Sequence, residues 1–343
     1  MPRAFIKDSD MYIIDEHLHI SPEFNGDNII KFMDRTGTDK AVLQSVYHTS
    51  FGPLAPLALK LKKEYPDRFY VFAAPDASLY FKNADRIGEA QIEFLKPYFD
   101  MGADGVKLLE GKPQMRKAYP IPDFDSDSWE PFFAYLEKNG IPITWHVNDP
   151  ENHWSKDVSP WLVKQGWAYD ETFINNEKQY SEVLNVIDRH KKLKVIFAHF
   201  FFMSAQLERL AEILDSHPSV MIDLTPGIEM YENFSKDKEK ALLFFEKYHD
   251  RIIYGTDIGG RCILTNEGCS FNEKENLRRP EIVRDFLAGS SESVIESDGN
   301  FLIDRAPFIL KPLGLSTQRL EEIYHRNLER QLINSCKILC NLL

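Results

Sequence analysis

Apolar residues recur along this chain in short runs rich in β-branched and aromatic types, and between those runs lie longer stretches whose apolar positions fall three and four residues apart. Runs of the first kind read as strands and stretches of the second kind as amphipathic helices. Strands are expected at residues 12–19, 40–46, 69–74, 105–109, 142–146, 194–199, 220–224 and 252–256. Helices are expected near 27–34, 53–63, 83–99, 126–138, 177–190, 205–216 and 236–249. A last helix, over 317–337, carries Leu320, Ile323, Tyr324, Leu328 and Leu332 on one stripe. Most strand runs are apolar throughout, as strands covered on both faces are. Eight strands each followed by a helix predict an α/β fold of the (β/α)8 TIM-barrel type, whose active sites lie at the C-terminal ends of the strands.

No fixed-period repeat or linker divides the chain, so residues 1–343 read as one domain. Two segments exceed what a barrel needs, about 148–180 after the fifth strand and 258–312 after the eighth. Long βα loops lie on the catalytic face, so both are expected to form walls or lids of a pocket.

Composition narrows the class of protein. Hydrophobic residues make up 43% and charged residues 27%, the proportions of a globular rather than a disordered or fibrous chain. The formal net charge of −12, from 41 basic and 53 acidic residues, argues against a nucleic-acid partner, because phosphate binding needs a basic face. The start Met1-Pro2-Arg3-Ala4-Phe5 lacks the apolar run of a signal peptide. No stretch approaches the roughly 18 apolar residues of a membrane span, so a cytoplasmic location and no membrane partner are expected. Cys262, Cys269, Cys336 and Cys340 form no Cys-x-x-Cys pair and read as free thiols rather than a zinc cluster.

The candidate chemistry lies at the strand ends. The first strand closes in His17-Leu18-His19, and side chains alternate across a strand, so the two histidines face one side and can grip one metal ion. A catalytic zinc takes about three protein ligands and keeps one position open, so the pair needs company. The fourth strand contains Lys107 and leads to Glu110, the fifth ends in Trp145-His146, and the sixth ends in Ala198-His199. The seventh contains Asp223, and the eighth ends in Gly255-Thr256-Asp257. A lone strand-end histidine is more often a hydrogen-bonded core residue than a ligand, but the whole set would bury several polar groups for no structural gain. Asp223 can support a metal-bound histidine from behind or be a satisfied core carboxylate. Trp145, Asn148, Asp149, His153, Trp154 and Trp161 can line an aromatic pocket or pack their own loop. Arg261, Arg278 and Arg279 suit a substrate carboxylate, because guanidinium and carboxylate pair as two forks.

Ile14-Asp15-Glu16-His17-Leu18-His19, the strand-end histidines His146 and His199, and Tyr254-Gly255-Thr256-Asp257 together resemble the amidohydrolase superfamily. Within it the chain is most similar to the amidohydrolase-2 branch, which includes aminocarboxymuconate-semialdehyde decarboxylase and related hydrolases. Gly314-Leu315-Ser316-Thr317-Gln318-Arg319-Leu320-Glu321-Glu322-Ile323, with Asn327 after it, is similar to that branch's closing helix. The resemblance implies that His17, His19, His146 and Asp257 bind one divalent metal, with zinc expected, and that Asp257 and His199 are catalytic. Asp257 would accept the proton of the attacking water and return it to the leaving group, while His199 polarises the substrate oxygen.

In some members of the superfamily a carboxylated lysine on the fourth strand bridges two metals. Lys107 stands on the corresponding strand, so a binuclear site is the alternative, and a substrate carboxylate or Glu110 is another partner for this lysine. Lys107, Trp145, Asn148 and Arg261 are the substrate-binding candidates. The expected activity is hydrolysis of a C–N or C–O bond in a small carbonyl compound, and the alternative is metal-dependent decarboxylation of an unsaturated or aromatic acid. A non-catalytic barrel would have little reason to keep the ligand set. A homodimer is expected by analogy with related barrels.

Overall fold

The computed structural model describes residues 11–48, 51–227, 229–260, 273–296 and 307–332. The eight barrel strands are β1 (Ile14–His19), β2 (Lys40–Ser45), β3 (Phe69–Ala73), β4 (Gly105–Gly111), β5 (Ile143–Val147), β6 (Val195–Phe197), β7 (Val220–Asp223) and β8 (Ile252–Ile253). They form one sheet in that order, every neighbouring pair parallel. Beyond the short β8 the chain closes the ring on β1. Glu16 N–H donates to Tyr254 O at 3.0 Å, Asp257 N–H to His17 O at 2.8 Å, and His19 N–H to Ile258 O at 2.7 Å. Asp257 and the first two histidines are therefore joined through the backbone itself.

The barrel interior is layered. Ile14, Val42, Phe72, Ile196, Met221 and Ile253, one from each of six strands, pack with Leu328 and Leu332 of the closing helix into an apolar cluster. Further along the same strands the interior turns polar. Gln44 donates to Glu16 Oε1 at 2.9 Å and to Thr144 Oγ1 at 3.3 Å, and Thr144 also donates to Glu16. These bonds offset part of the cost of burying the polar groups, although Glu16 Oε2 and Gln44 Oε1 have no hydrogen-bond partner among the described residues. The strand-end histidines lie above this layer.

β6 stops two residues earlier than its apolar pattern predicts. Ala198–Phe202 forms a tight turn in which His199, Phe200, Phe201 and Phe202 all have positive φ, between 52° and 57°. Residues with a side chain disfavour this conformation by roughly 1–2 kcal/mol each. Burial of the three rings offsets that cost: Phe201 stacks on Phe197 at 3.8 Å, and Phe200 packs against Phe234 at 4.9 Å and Phe245 at 5.8 Å. The turn aims His199 into the barrel mouth. On the other side of His146, a Cβ added to Gly111 would lie 2.1 Å from the His146 carbonyl, so only glycine lets the ends of β4 and β5 approach this closely.

The closing helix runs from Thr317–Glu321 through a π-helical turn at Glu322–Arg326 into Asn327–Leu332. Within the π turn the Ile323 carbonyl accepts from Tyr254 N–H at 2.9 Å, so the helix backbone caps the chain just past β8. Asn327 adds bonds to the carbonyls of His249 and Ile252, at 2.7 and 2.6 Å.

Of the two long segments, the one after β5 has a small core of its own, made of Leu162, Trp167 and Tyr169 with Trp154, Val158 and Phe173 packed against it. The segment after β8 contains helix Glu273–Ala288 and an antiparallel pair, Ser293–Ile295 with Phe308–Leu310. Arg261 and all four cysteines lie outside the described residues, as does the Trp161 side chain. Among the described residues no helix is long and apolar enough to cross a membrane.

Candidate metal centre and active site

His17 and His19 converge at the barrel mouth, with their Nε2 atoms 3.1 Å apart. Each has its other ring nitrogen tied to an acceptor. His17 Nδ1 meets Asp223 Oδ2 at 2.8 Å, and His19 Nδ1 meets the Gln44 carbonyl at 3.2 Å. An acceptor at Nδ1 fixes the proton there and turns the Nε2 lone pair outward. Asp257 Oδ1 completes the approach, 3.2 Å from His19 Nε2 and 3.9 Å from His17 Nε2.

Burial keeps these imidazoles neutral. It is the largest influence on His17, whose pKa falls to about 4, and on His19, which also moves down. Two lone pairs and a carboxylate oxygen thus face one point with no proton between them, an arrangement that repels itself unless a cation joins it. Among the described residues, Lys107 brings a cationic side chain to the pair. Its Nζ donates to His17 Nε2 at 2.8 Å, and burial lowers its pKa to about 8.

Asp257 adopts a φ of 56° and is shared with the segment after β8. Its Oδ2 accepts from Arg279 Nη1 at 3.0 Å. Burial alone would raise the carboxyl, but the Arg279 charge and the bond to His19 outweigh it and hold Asp257 well below the usual carboxylate range. Asp223 lies behind the centre: Oδ2 serves His17, while Oδ1 accepts from His199 N–H at 2.7 Å and Thr225 N–H at 3.0 Å. Burial opposes its ionisation, yet contact with His17 keeps its pKa lowered. The sequence left the role of this carboxylate open, and the geometry gives it a task behind the histidines.

The wall around the centre carries His146 and His199, whose rings are 4.9 Å apart, with His199 5.5 Å from His17. Both are buried, His146 Nε2 and His199 Nδ1 have no hydrogen-bond partner among the described residues, and burial depresses both pKa values, that of His146 to about 4. His146 Nε2 is 3.5 Å from Asp149 Oδ1. Two tight groups of candidate ligands occur among the described residues, His17 with His19 and Asp257 at the mouth and Glu16 with His17 and Asp223 behind it, and His146 and His199 stand beside the first. The surrounding cavity has a volume of about 80 Å³, and Leu109, Pro150, Trp167, Phe202 and Pro226 give it an apolar lining.

Two expected substrate contacts are corrected. Trp145 points away from the mouth, fully buried between Phe124 and Phe133 at 4.9 and 5.3 Å, because alternation along β5 sends it outward while Thr144 and His146 face in. Asn148 has a φ of 68° and spends its side chain on Asn176 O and Gln179, so it fixes the loop instead of lining the cavity. Lys107 does line the cavity, but it lies at the histidine pair. Arg279, read from sequence as a partner for substrate carboxylate, is held by Asp257 and Glu275, and Arg278 pairs with Glu281.

Residues not singled out as site candidates also line the cavity: Lys112, Trp167 and Phe202. Lys112 binds both oxygens of Asp149, at 2.7 and 2.8 Å, and Tyr169 donates to Asp149 at 2.5 Å. This buried pair fastens the segment after β5 to the end of β4. The sequence held no signal for it beyond the presence of opposite charges.

The sequence profile of a family described as amidohydrolase matches residues 14–327. No curated protein matches the chain. Among solved structures, an uncharacterised TIM-barrel protein from Bordetella bronchiseptica is similar at 15% identity with a TM-score of 0.58, over 95% of this chain and 99% of that one. A probable 2-pyrone-4,6-dicarboxylic acid hydrolase from Acinetobacter baumannii is similar at 13% identity and TM-score 0.54, over 94% and 99%. A dihydroxybenzoic acid decarboxylase from Polaromonas, with bound manganese and an inhibitor, is similar at 14% identity and TM-score 0.52, over 94% and 97%. At these identities the structural likenesses establish the barrel fold.

Proposed function

The chain belongs to the amidohydrolase family, and from that premise we propose that it is a metal-dependent hydrolase cleaving a C–N or C–O bond of a small carbonyl compound. The observation that carries the proposal is the convergence of two neutral Nε2 lone pairs and Asp257 Oδ1 on one point at the barrel mouth. His17, His19 and Asp257, joined by the neighbouring His146, would hold one divalent ion, and zinc suits a set of imidazoles and one carboxylate. Such an ion supplies Lewis acidity, which polarises a carbonyl and makes water a nucleophile near neutral pH.

The chain's own groups do the rest. Asp223 and the Gln44 carbonyl orient the two histidines and fix their tautomers. Asp257, kept ionised by Arg279, is in its proton-accepting form at neutral pH and would take the proton of the attacking water and pass it to the leaving group. His199, neutral and with no partner for Nδ1 among the described residues, would face the substrate oxygen as negative charge develops there. Phe202, stacked on His199 at 5.0 Å, and Trp167 exclude water from the cavity walls.

The ligand set also serves decarboxylation, the activity of the similar Polaromonas enzyme, and this is the second reading. Zinc-loaded protein offered a panel of amides, lactones and aromatic or enoic acids separates the two. Cleavage of an amide or lactone supports the proposal; carbon dioxide released from an acid with no amide or lactone cleaved overturns it.

A further inference from the structure

The structure assigns Arg279 as a positioning residue of the metal centre, one that reserves a single oxygen of Asp257 for the ion. The assignment rests on the proposed metal-binding role of the His17, His19 and Asp257 group.

Arg279 is supplied by helix Glu273–Ala288, from the segment after β8, and is only 1% exposed. A buried guanidinium is costly unless its donors are paired, and here one of them is directed at the centre. Nη1 reaches Asp257 Oδ2 at 3.0 Å and the Thr256 carbonyl at 3.4 Å, while Nη2 is anchored by Glu275 at 2.8 Å, one helical turn away. The same helix holds the loop a second time, since Asn276 Oδ1 accepts from Gly259 N–H at 2.9 Å.

These contacts divide the two oxygens of Asp257. Oδ2 faces the guanidinium, and Oδ1 faces His19 and His17. A carboxylate free to rotate can offer a metal both oxygens and fill the position that water needs. With Oδ2 committed to Arg279, Asp257 ligates through Oδ1 alone and the open position survives. The insertion helix, remote from the barrel strands in sequence order, thus sets the coordination number at the mouth. Partners of this kind, which hold a metal ligand from behind, commonly change metal affinity 10- to 100-fold when removed.

The test uses the full chain and two readouts. Zinc affinity is measured by competition with a chromogenic chelator for wild type, R279Q, R279K and E275Q, each first checked for cooperative thermal unfolding without metal. The cobalt(II)-loaded proteins are then compared by visible absorption, whose intensity falls as coordination number rises. The expected result is a zinc affinity reduced at least tenfold in R279Q, partly restored in R279K, and within threefold of wild type in E275Q. Alongside it the cobalt bands of R279Q should weaken as the freed Oδ2 enters the shell. If R279Q binds zinc like wild type with an unchanged cobalt spectrum, the assignment is overturned. If wild type binds no zinc that H17A removes, the metal reading itself fails, a distinct outcome visible before any Arg279 variant is compared. Should R279Q not fold, R279K decides: a zinc affinity reduced from wild type with weakened cobalt bands supports the clamp, because an ammonium holds Oδ2 less firmly than a guanidinium, whereas affinity and spectrum identical to wild type contradict it.

Discussion

Asp223 grips His17 from behind, with Oδ2 2.8 Å from Nδ1, while its other oxygen accepts the backbone N–H of His199 at 2.7 Å. One carboxylate on β7 therefore fixes both the tautomer of a candidate ligand on β1 and the start of the left-handed turn after β6. D223N preserves shape but loses the negative acceptor that holds the Nδ1 proton. Zinc affinity should fall 10- to 100-fold with the fold retained, read by chelator competition and circular dichroism. D223A leaves the His199 and Thr225 N–H groups buried without a partner and should cost a further 1–3 kcal/mol or so for each in denaturant unfolding.

The left-handed run from His199 to Phe202 invites a glycine, and magnitudes decide whether one helps. F200G relieves roughly 1–2 kcal/mol of backbone strain. It also removes a fully buried ring that packs on Phe234, Phe244 and Phe245, a loss of about 3–5 kcal/mol. The expected net effect is destabilisation of about 1–4 kcal/mol in urea melts. A stabilised F200G would mean that the turn is not held by its rings.

Glu110 gives a pH dependence whose sign can be worked out. Burial raises its pKa from 4.5 to about 7. Between those values the folded chain keeps a proton that the unfolded chain has released, so stability is fully present below pH 4.5 and declines as pH rises through 7. At 1.36 kcal/mol per pKa unit the decline is roughly 3 kcal/mol. Asp15, raised by burial to about 6, acts in the same direction. E110Q should flatten this part of the profile and raise stability at pH 8, measured by urea unfolding from pH 4.5 to 8. An unchanged slope would show that Glu110 ionises freely in the folded chain.

The barrel and the gathering of His17, His19 and Asp257 at its mouth were legible in the sequence because both follow from short-range rules. Period-two alternation aligned His17 with His19, and apolar runs bounded by polar strand ends located His146, Asp223 and Asp257. What stayed hidden depends on long-range contact or on a local rule being broken. Alternation also sends Trp145 outward, but a strand-end tryptophan beside a candidate ligand looks like a pocket wall until the helix carrying Phe133 is in place. The early end of β6 contradicts propensity, since three consecutive phenylalanines extend a strand pattern and nothing in their order announces positive φ. Arg279 looked like a substrate anchor because its partner Asp257 reaches it only through the fold of the intervening segment.

The most direct test of the central claim is the metal content of the full chain, measured by inductively coupled plasma mass spectrometry after equilibration with zinc, for wild type, H17A and D257N. One ion per wild-type chain, lost from both variants together with turnover, is the predicted result. Wild-type protein that holds no zinc, or variants that keep it, would contradict the metal centre at His17, His19 and Asp257, and two ions per chain would replace it with the binuclear site built on a carboxylated Lys107.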